Sequence, residues 1–329
     1  MRKVKVAQIG MSTHGHSVQV FASMKKQSEL FDIAGYFIPE GQKVIPSRAV
    51  EFEGYDALTL EQIMNDPEIE AVVVESDEED LTKYALMAAM HGKHVHMEKP
   101  GGFCHDEFEE LISVMKKSGK VFHTGYMYRY NPMVRELISD VKSGKLGKIL
   151  SVEAQMNCVL NEEVHRWLSG YPGGMMYYLG CHLIDLILQI QGEPENIIPL
   201  NRPSRTYDVD SEDFGMAVFE YPNGVSFAKT IASEKGGFLR RQLVVTGTKG
   251  TVELKPLERY DEDGLHTYRT LHTSNKWSEP GIETRSAEFD RYDEMMSSFA
   301  EMIVDGKENP YTYDYELQLH KTIMKCIKK

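Results

Sequence analysis

Val4-Lys5-Val6-Ala7-Gln8-Ile9-Gly10-Met11-Ser12-Thr13-His14-Gly15 opens the chain with a short β-type run, then a glycine-bounded turn, and helix-type residues follow over 17–26. A strand, a glycine turn and a helix in that order mark the start of a parallel α/β layer. The spacing Gly10-x-Ser12-x-x-Gly15 is a variant of the Gly-x-Gly-x-x-Gly turn, in which the backbone comes close to a dinucleotide pyrophosphate at a helix N-terminus. Ser12, at the middle glycine position, still permits close approach and offers a hydroxyl. Gly10, Ser12, Thr13 and His14 are therefore candidate cofactor contacts, and a plain strand-to-helix turn without a ligand is the alternative.

Outward from this stretch the same rhythm continues. Strands are expected at 4–9, 31–38, 71–74, 94–97 and 121–124, with helices at 17–26, 60–65, 81–91 and 106–117 between them. That alternation predicts a Rossmann-type, doubly wound parallel sheet with its ligand crevice beyond the carboxyl ends of the strands. From Gly125 the pattern changes. A helix at 132–143 and a strand at 149–158 lead to a helix at 175–191, then to strands at 213–221, 224–233, 240–246 and 250–254. Pro222-Asn223-Gly224 is a hairpin turn signal, so this half reads as an α+β domain on a largely antiparallel open sheet. Helices at 290–304 and 315–328 close the chain. The expected domains are residues 1–124, binding a dinucleotide, and residues 125–329, binding substrate and carrying oligomer contacts.

The bulk numbers narrow the function class. A chain of 329 residues with 41% hydrophobic content has material for two cores. No stretch approaches the roughly 18 apolar residues of a membrane span, and no signal-peptide pattern opens the chain, so a soluble cytoplasmic protein is expected. A formal charge of −13 without a basic stripe argues against nucleic acid. Cys104, Cys158, Cys181 and Cys326 lack paired spacing and are read as reduced thiols. His14, His16, His94 and His96 have no acid or cysteine partner at ligand spacing, so no metal is expected.

The second strand of a dinucleotide fold ends in an acid that bonds the adenosine ribose. Here Ile38 occupies that position and Glu40 follows two residues later, while Lys43 and Arg48 form no convincing 2′-phosphate clamp, so NAD is favoured with NADP not excluded. Gly92-Lys93-His94-Val95-His96-Met97-Glu98-Lys99-Pro100 places Glu98 and Lys99 at the carboxyl end of the fourth strand, facing the crevice, where both are also candidate cofactor contacts. A lysine there is able to hold a substrate hydroxyl and favour its deprotonated form.

This segment resembles the diagnostic Ala-Gly-Lys-His-Val-x-x-Glu-Lys-Pro pattern of the Gfo/Idh/MocA oxidoreductases, and the resemblance extends over most of the chain. Asp66-Pro67-Glu68-Ile69-Glu70-Ala71-Val72-Val73-Val74 is similar to the family's approach to the third strand. Gly125-Tyr126-Met127-Tyr128-Arg129-Tyr130-Asn131-Pro132 is similar to its domain crossover, and Val245-Thr246-Gly247-Thr248-Lys249-Gly250-Thr251-Val252 to its late hairpin. The resemblance makes Lys99 the catalytic lysine and allows a cis Lys99–Pro100 bond. Gly173-Gly174-Met175-Met176-Tyr177-Tyr178-Leu179-Gly180-Cys181-His182-Leu183-Ile184-Asp185 resembles the family's helix whose histidine exchanges a proton beside the nicotinamide. His182 matches that histidine, and Asp185, three residues on, is placed to orient it. Tyr178 stands where the family has aspartate. It is read either as part of the proton and hydroxyl network or as packing. After the third strand the family's Thr-Pro-x-x-x-His becomes Ser76-Asp77-Glu78-Glu79-Asp80-Leu81. Ser76 replaces the threonine, and the carboxylates are expected to face solvent or bond ribose hydroxyls.

By the same resemblance Tyr126, Arg129, His165, Arg166 and Trp167 are substrate-side candidates, suited to a ring with one apolar face and a hydroxylated rim. The implied activity is hydride exchange between a secondary hydroxyl of a sugar, polyol or cyclitol and a nicotinamide. Lys99 polarises the hydroxyl in this reading, and His182 takes its proton. Two other readings stay open: redox-neutral processing of a glycoside through transient oxidation, and a noncatalytic dinucleotide-binding regulator. The resemblance also implies a homo-oligomer, dimer or tetramer, formed through the open sheet of the second domain.

Overall fold

In the computed structural model, which describes residues 2–328, the β-branched runs of the first third assemble as a parallel sheet in the order β2-β1-β3-β4-β5. Its strands are β1 (Val4–Ile9), β2 (Phe31–Phe37), β3 (Ala71–Val74), β4 (His94–Met97) and β5 (Phe122–Thr124). Helices α1 (Ser17–Lys26), α2 (Pro46–Ala49), α3 (Leu60–Asn65), α4 (Leu81–Met90) and α5 (His105–Ser118) alternate with them. All four residues of β3 are buried, as expected of a strand covered on both faces. One face packs Val72, Val74, Val95 and Met97 against Leu81, Ala85, Phe108 and Leu111. Strand order reverses between β1 and β3, which locates the ligand crevice of an open α/β sheet at their carboxyl ends.

Helix α6 (Pro132–Lys142) starts from Asn131, whose side chain accepts from the Met133 and Val134 amides. Strand β6 (Ile149–Asn157) follows, then α7 (Glu162–Leu168) and α8 (Cys181–Gln191). Strands β7 (Asn196–Pro199), β8 (Phe214–Tyr221), β9 (Gly224–Ile231), β10 (Gln242–Gly247), β11 (Gly250–Leu254), β12 (Arg259–Asp261), β13 (Gly264–His266), β14 (Tyr268–His272) and β15 (Ile282–Arg285) complete the sheets. Eight of these strands form one sheet in the order β15-β14-β11-β10-β6-β9-β8-β7. Its pairs are antiparallel except β6 with β9. The chain ends in α9 (Asp293–Val304) and α10 (Tyr313–Ile327).

The chain divides into two compact units. The first comprises the chain up to Met127 together with Arg291–Lys321; the second comprises Tyr128–Asp290 and the residues from Thr322. The return of 291–321 to the first unit has specific causes. Asp293 at the start of α9 accepts from Ser23 Oγ, and Phe299 lies against the rings of His96 and His123. Asn309 Nδ2 donates to the Phe122 carbonyl and the Tyr313 hydroxyl to that of Lys120. Among the described residues no helix is long and apolar enough to cross a membrane, and all four cysteines are free thiols.

Candidate active site

In the first unit the turn after β1 is built for close approach. Gly10 has φ +95°, and a Cβ there would lie 2.4 Å from the Ser76 backbone, so a side chain is excluded. The Ser12 amide donates to the Glu75 carbonyl, and Ser12 Oγ accepts from the Gly15 amide. The serine at the middle glycine position thus closes the turn upon itself. Gln42 Oε1 accepts from the Met11 amide, while the Arg48 guanidinium donates to the Ser12 and Gly15 carbonyls and to Ser17 Oγ. Thr13 Oγ1 donates to the Lys43 carbonyl, and His14 is half-buried in the same loop. Helix α1 has no side-chain cap and no acid in its first turn. Its leading amides and dipole, beside the Arg48 charge, fit a dinucleotide pyrophosphate. Beyond β2, Ile38 is half-buried and Glu40 exposed.

Glu98 and Lys99 are both 2% exposed at the carboxyl end of β4, with Lys99 Nζ 3.6 Å from Glu98 Oε1. His16 Nδ1 lies 3.0 Å from the same carboxylate. A Cβ on Gly125 would come within 2.7 Å of Glu98 Oε2, so the glycine after β5 makes room for that acid. The Lys99–Pro100 peptide is cis, and Tyr126, 2% exposed, follows Gly125. Ser76 is buried, its hydroxyl turned to the Asp77 carbonyl.

The acid run after β3 departs from the solvent-facing or ribose-bonding placement expected of it. Glu79 is exposed and Asp80 pairs with Lys83, but Glu75 and Glu78 are 0% and 3% exposed. Neither carboxyl oxygen of Glu75 has a hydrogen-bond partner among the described residues. Burial, then the neighbouring Glu98, pushes the Glu75 pKa well above the carboxylate range, and burial pushes Glu78 up to about 7. Burial would raise Glu98 as well, but His16 and Lys99 outweigh it and hold that acid below its usual value. Adjacent acids are thus driven apart, Glu75 toward neutral and Glu98 toward ionised. A carboxyl that keeps its proton does not repel a phosphate, so the raised pKa of Glu75 makes it compatible with a pyrophosphate nearby.

In the second unit, continuous α-helix over 175–191 gives way to a π-helical turn at Met176–Gly180 ahead of α8. The wider turn changes the direction in which Tyr178 projects relative to His182. The Tyr178 ring meets Trp167 edge-on, centroids 5.1 Å apart, whereas the His182 ring meets Tyr128 edge-on at 5.3 Å. His182 is 1% exposed. Asp185 accepts from Arg129 Nη2 at 2.8 Å, from Arg129 Nε, and from Gln189 Nε2. Arg129 is itself 2% exposed, so its guanidinium is a buried partner of α8. His165 is buried with Nδ1 3.3 Å from Asp213 Oδ2. Arg166 is exposed and pairs with Glu162, and Trp167 is half-buried against Tyr171 and Tyr178.

Several residues around these groups carry no motif. Gln42 and Arg48 shape the glycine turn from a segment without periodicity. His96 and His123 occupy paired positions on β4 and β5, with Nδ1 atoms 2.6 Å apart, and His96 Nε2 lies 3.7 Å from Glu75. Residues two apart on a strand share a side, so His94 and His96 face the same way, but nothing in the local sequence signals His123 as the neighbour. Asp261, Asp263 and His266 bring three potential ligand atoms within 4.8 Å of one another. Arg285 bonds both aspartates, and Arg259 and Tyr268 bond Asp261, so arginine charge meets those carboxylates.

Residues 4–126 match the model of the oxidoreductase family with an NAD-binding Rossmann fold, and residues 134–253 match the Gfo/Idh/MocA C-terminal domain. An uncharacterized oxidoreductase of Rhizobium meliloti is 26% identical over 271 residues, 80% of this chain and 79% of that protein. The trans-1,2-dihydrobenzene-1,2-diol dehydrogenase of Bos taurus is 28% identical over 203 residues, 60% of this chain and 58% of its own length. The NADP-dependent scyllo-inositol 2-dehydrogenase of Bacillus subtilis is 27% identical over 230 residues, 67% and 61% of the two chains. Among solved structures, an oxidoreductase of Thermotoga maritima superposes with a TM-score of 0.80 at 20% identity, over 99% of this chain and 96% of that one. With both of its halves matched, this chain belongs to the Gfo/Idh/MocA family of NAD(P)-binding oxidoreductases.

Proposed function

We propose that this enzyme exchanges a hydride between a nicotinamide and a secondary alcohol carbon of a sugar, polyol or cyclitol. The observation that carries the reading is Lys99, a lysine only 2% exposed at the carboxyl end of β4, beside the low-pKa carboxyl of Glu98. A buried ammonium is costly unless paired, and one held at a crevice mouth is suited to an oxygen gaining negative charge. The bound nicotinamide supplies or accepts the hydride. Lys99 holds the reacting oxygen and favours its alkoxide form, and His182 accepts or returns the hydroxyl proton. Asp185, clamped by Arg129, fixes the helix that carries His182. The relatives support a polyhydroxylated or cyclic diol substrate, since one is a scyllo-inositol dehydrogenase and another acts on a dihydrobenzene diol. NAD is favoured over NADP because Arg48 bonds the loop carbonyls and Lys43 is exposed, which leaves no buried basic clamp beside Ile38. The protein assembles as a homo-oligomer through the open face of the eight-stranded sheet.

The test begins with fluorescence titration of NAD and NADP in both redox states. A spectrophotometric screen of inositols, aldoses and cyclic diols for net cofactor reduction follows. Lys99→Met is expected to bind cofactor like the wild type and to lose turnover by about a hundredfold or more. Equal turnover by the variant and the wild type would remove Lys99 from the reaction. Failure of the wild type to bind any nicotinamide would sink the dehydrogenase reading in favour of a noncatalytic role, and product formation without net cofactor reduction would favour redox-neutral chemistry.

A further inference from the structure

The turn that carries Lys99 continues through Pro100, Gly101 and Gly102, and the two glycines have φ of +100° and +74°. No strand ladder serves this segment, so its buried carbonyls need donors from elsewhere. The Gly101 carbonyl accepts from Thr82 Oγ1 at 2.6 Å and lies 3.1 Å from His320 Nε2, with the Gly102 carbonyl 3.4 Å from the same nitrogen. His320 sits on α10, far along the chain, and is 1% exposed. Its ring is stacked on Phe108, centroids 4.1 Å apart at 6°, and lies nearly parallel to the ring of His105 with centroids 5.3 Å apart.

The hydrogen-bond pattern dictates the tautomer. Carbonyl oxygens only accept, so Nε2 carries the proton. Burial pushes the His320 pKa down to about 4, and in the neutral ring Nδ1 is a lone pair. His105 Nδ1, 3.1 Å away, is then the donor to it. One turn earlier, and on the same face of α10, Glu316 accepts from Thr124 Oγ1 at the end of β5. Two side chains of the last helix therefore grip the ends of neighbouring strands, one of them at the lysine turn.

We propose that His320 is a positioning residue for Lys99: its Nε2–H, held by the aromatic stack, fixes the Gly101–Gly102 backbone and through it the lysine. The consequence for turnover rests on the role proposed above for Lys99, whereas the structural consequence does not. His320 carries no weight in any motif, since a histidine in a closing helix reads as ordinary amphipathic sequence.

Two variants separate the donor from the bulk. His320→Leu fills the space without an N–H, and His320→Gln keeps an N–H able to reach a carbonyl. Hydrogen–deuterium exchange followed by mass spectrometry reads the peptide covering residues 97–104, alongside thermal melting, NAD titration and steady-state kinetics. In His320→Leu, exchange in this peptide is expected to rise on the order of tenfold, with peptides of β1 and of the second unit unchanged, and His320→Gln to restore most of the protection. With an alcohol found in the screen, His320→Leu lowers kcat while the NAD affinity holds. Unchanged exchange in both variants, or a uniform rise across the first unit, overturns the proposal. A loosened turn with undiminished kcat overturns it equally. If the wild type turns over no alcohol, the proposed function fails, and the exchange measurement still decides whether His320 holds the turn.

Discussion

At the scale of the residue, burial governs the chemistry around Lys99. Glu78 has a pKa raised to about 7 by burial, against an ordinary 4.5, so the folded state keeps a proton that the unfolded chain loses. Between those values, rising pH costs folding stability, up to roughly 3 kcal/mol by pH 7. Glu78→Gln removes that cost. The melting temperature of the variant minus that of the wild type should grow from pH 4.5 to 7 and then level off, and a pH-independent difference would show that Glu78 is ionised in the fold. Arg129 and Asp185 present the opposite case, a buried pair joined through three contacts. Removing one charge strands the other, so Arg129→Met should cost about 3–5 kcal/mol in denaturant unfolding, against a smaller loss for the double variant with Asp185→Leu. A double-variant loss equal to the sum of the two single losses would mean that the two residues act independently.

Individual elements carry the next level of argument. The π-helical turn at Met176–Gly180 accompanies an edge-on contact of Tyr178 with Trp167, inside a cluster that includes Leu168 and Met175. The phenol ring is therefore expected to matter more than its hydroxyl. Tyr178→Phe should keep kcat within about twofold, because packing tolerates loss of an oxygen better than loss of a ring. A hundredfold fall would place the hydroxyl in the proton network instead. The glycine turn is less forgiving. Gly10→Ala must place a methyl 2.4 Å from the Ser76 backbone at φ +95°, so both stability and nicotinamide affinity should drop, as read by melting and titration.

For the whole molecule, the exposed face of the eight-stranded sheet matters most. Val244, Glu153, Phe227 and Val218 lie in one row across β10, β6, β9 and β8, each half-buried within the chain. Three of the four are apolar, with Glu153 among them; half-exposed apolar side chains on a sheet face are suited to a partner, and the proposed oligomer uses them. Sedimentation velocity should show a dimer or larger species that Phe227→Glu converts toward monomer, and a monomeric wild type would refute the assembly. Acid stability belongs to this scale too. His94, His96 and His320 are each lowered to about 4, chiefly by burial, so the unfolded chain takes up their protons first. Their contribution is neutral above about pH 6.5 and turns destabilising as pH falls from there to 4, opposing the effect of Glu78 over the same range.

Local sequence determined what depends on local physics. Strand and helix alternation set the parallel sheet, with β1, β3 and β4 legible to the residue because short β-branched runs end at turns. The glycine turn, the segment that ends in Lys99 and the helix that carries His182 were likewise legible as spaced motifs. The strands from β12 to β15 were not, since each has only three to five residues, too few to show an alternating pattern. Only tertiary structure decided the protonation of Glu75 and Glu78, because burial depends on what packs above them. It also decided the pairing of Arg129 with Asp185 and the return of His320 to the lysine turn. Contacts across 56 and 219 residues have no periodicity to announce them; they exist because folding closes those loops and the buried polar groups then need partners.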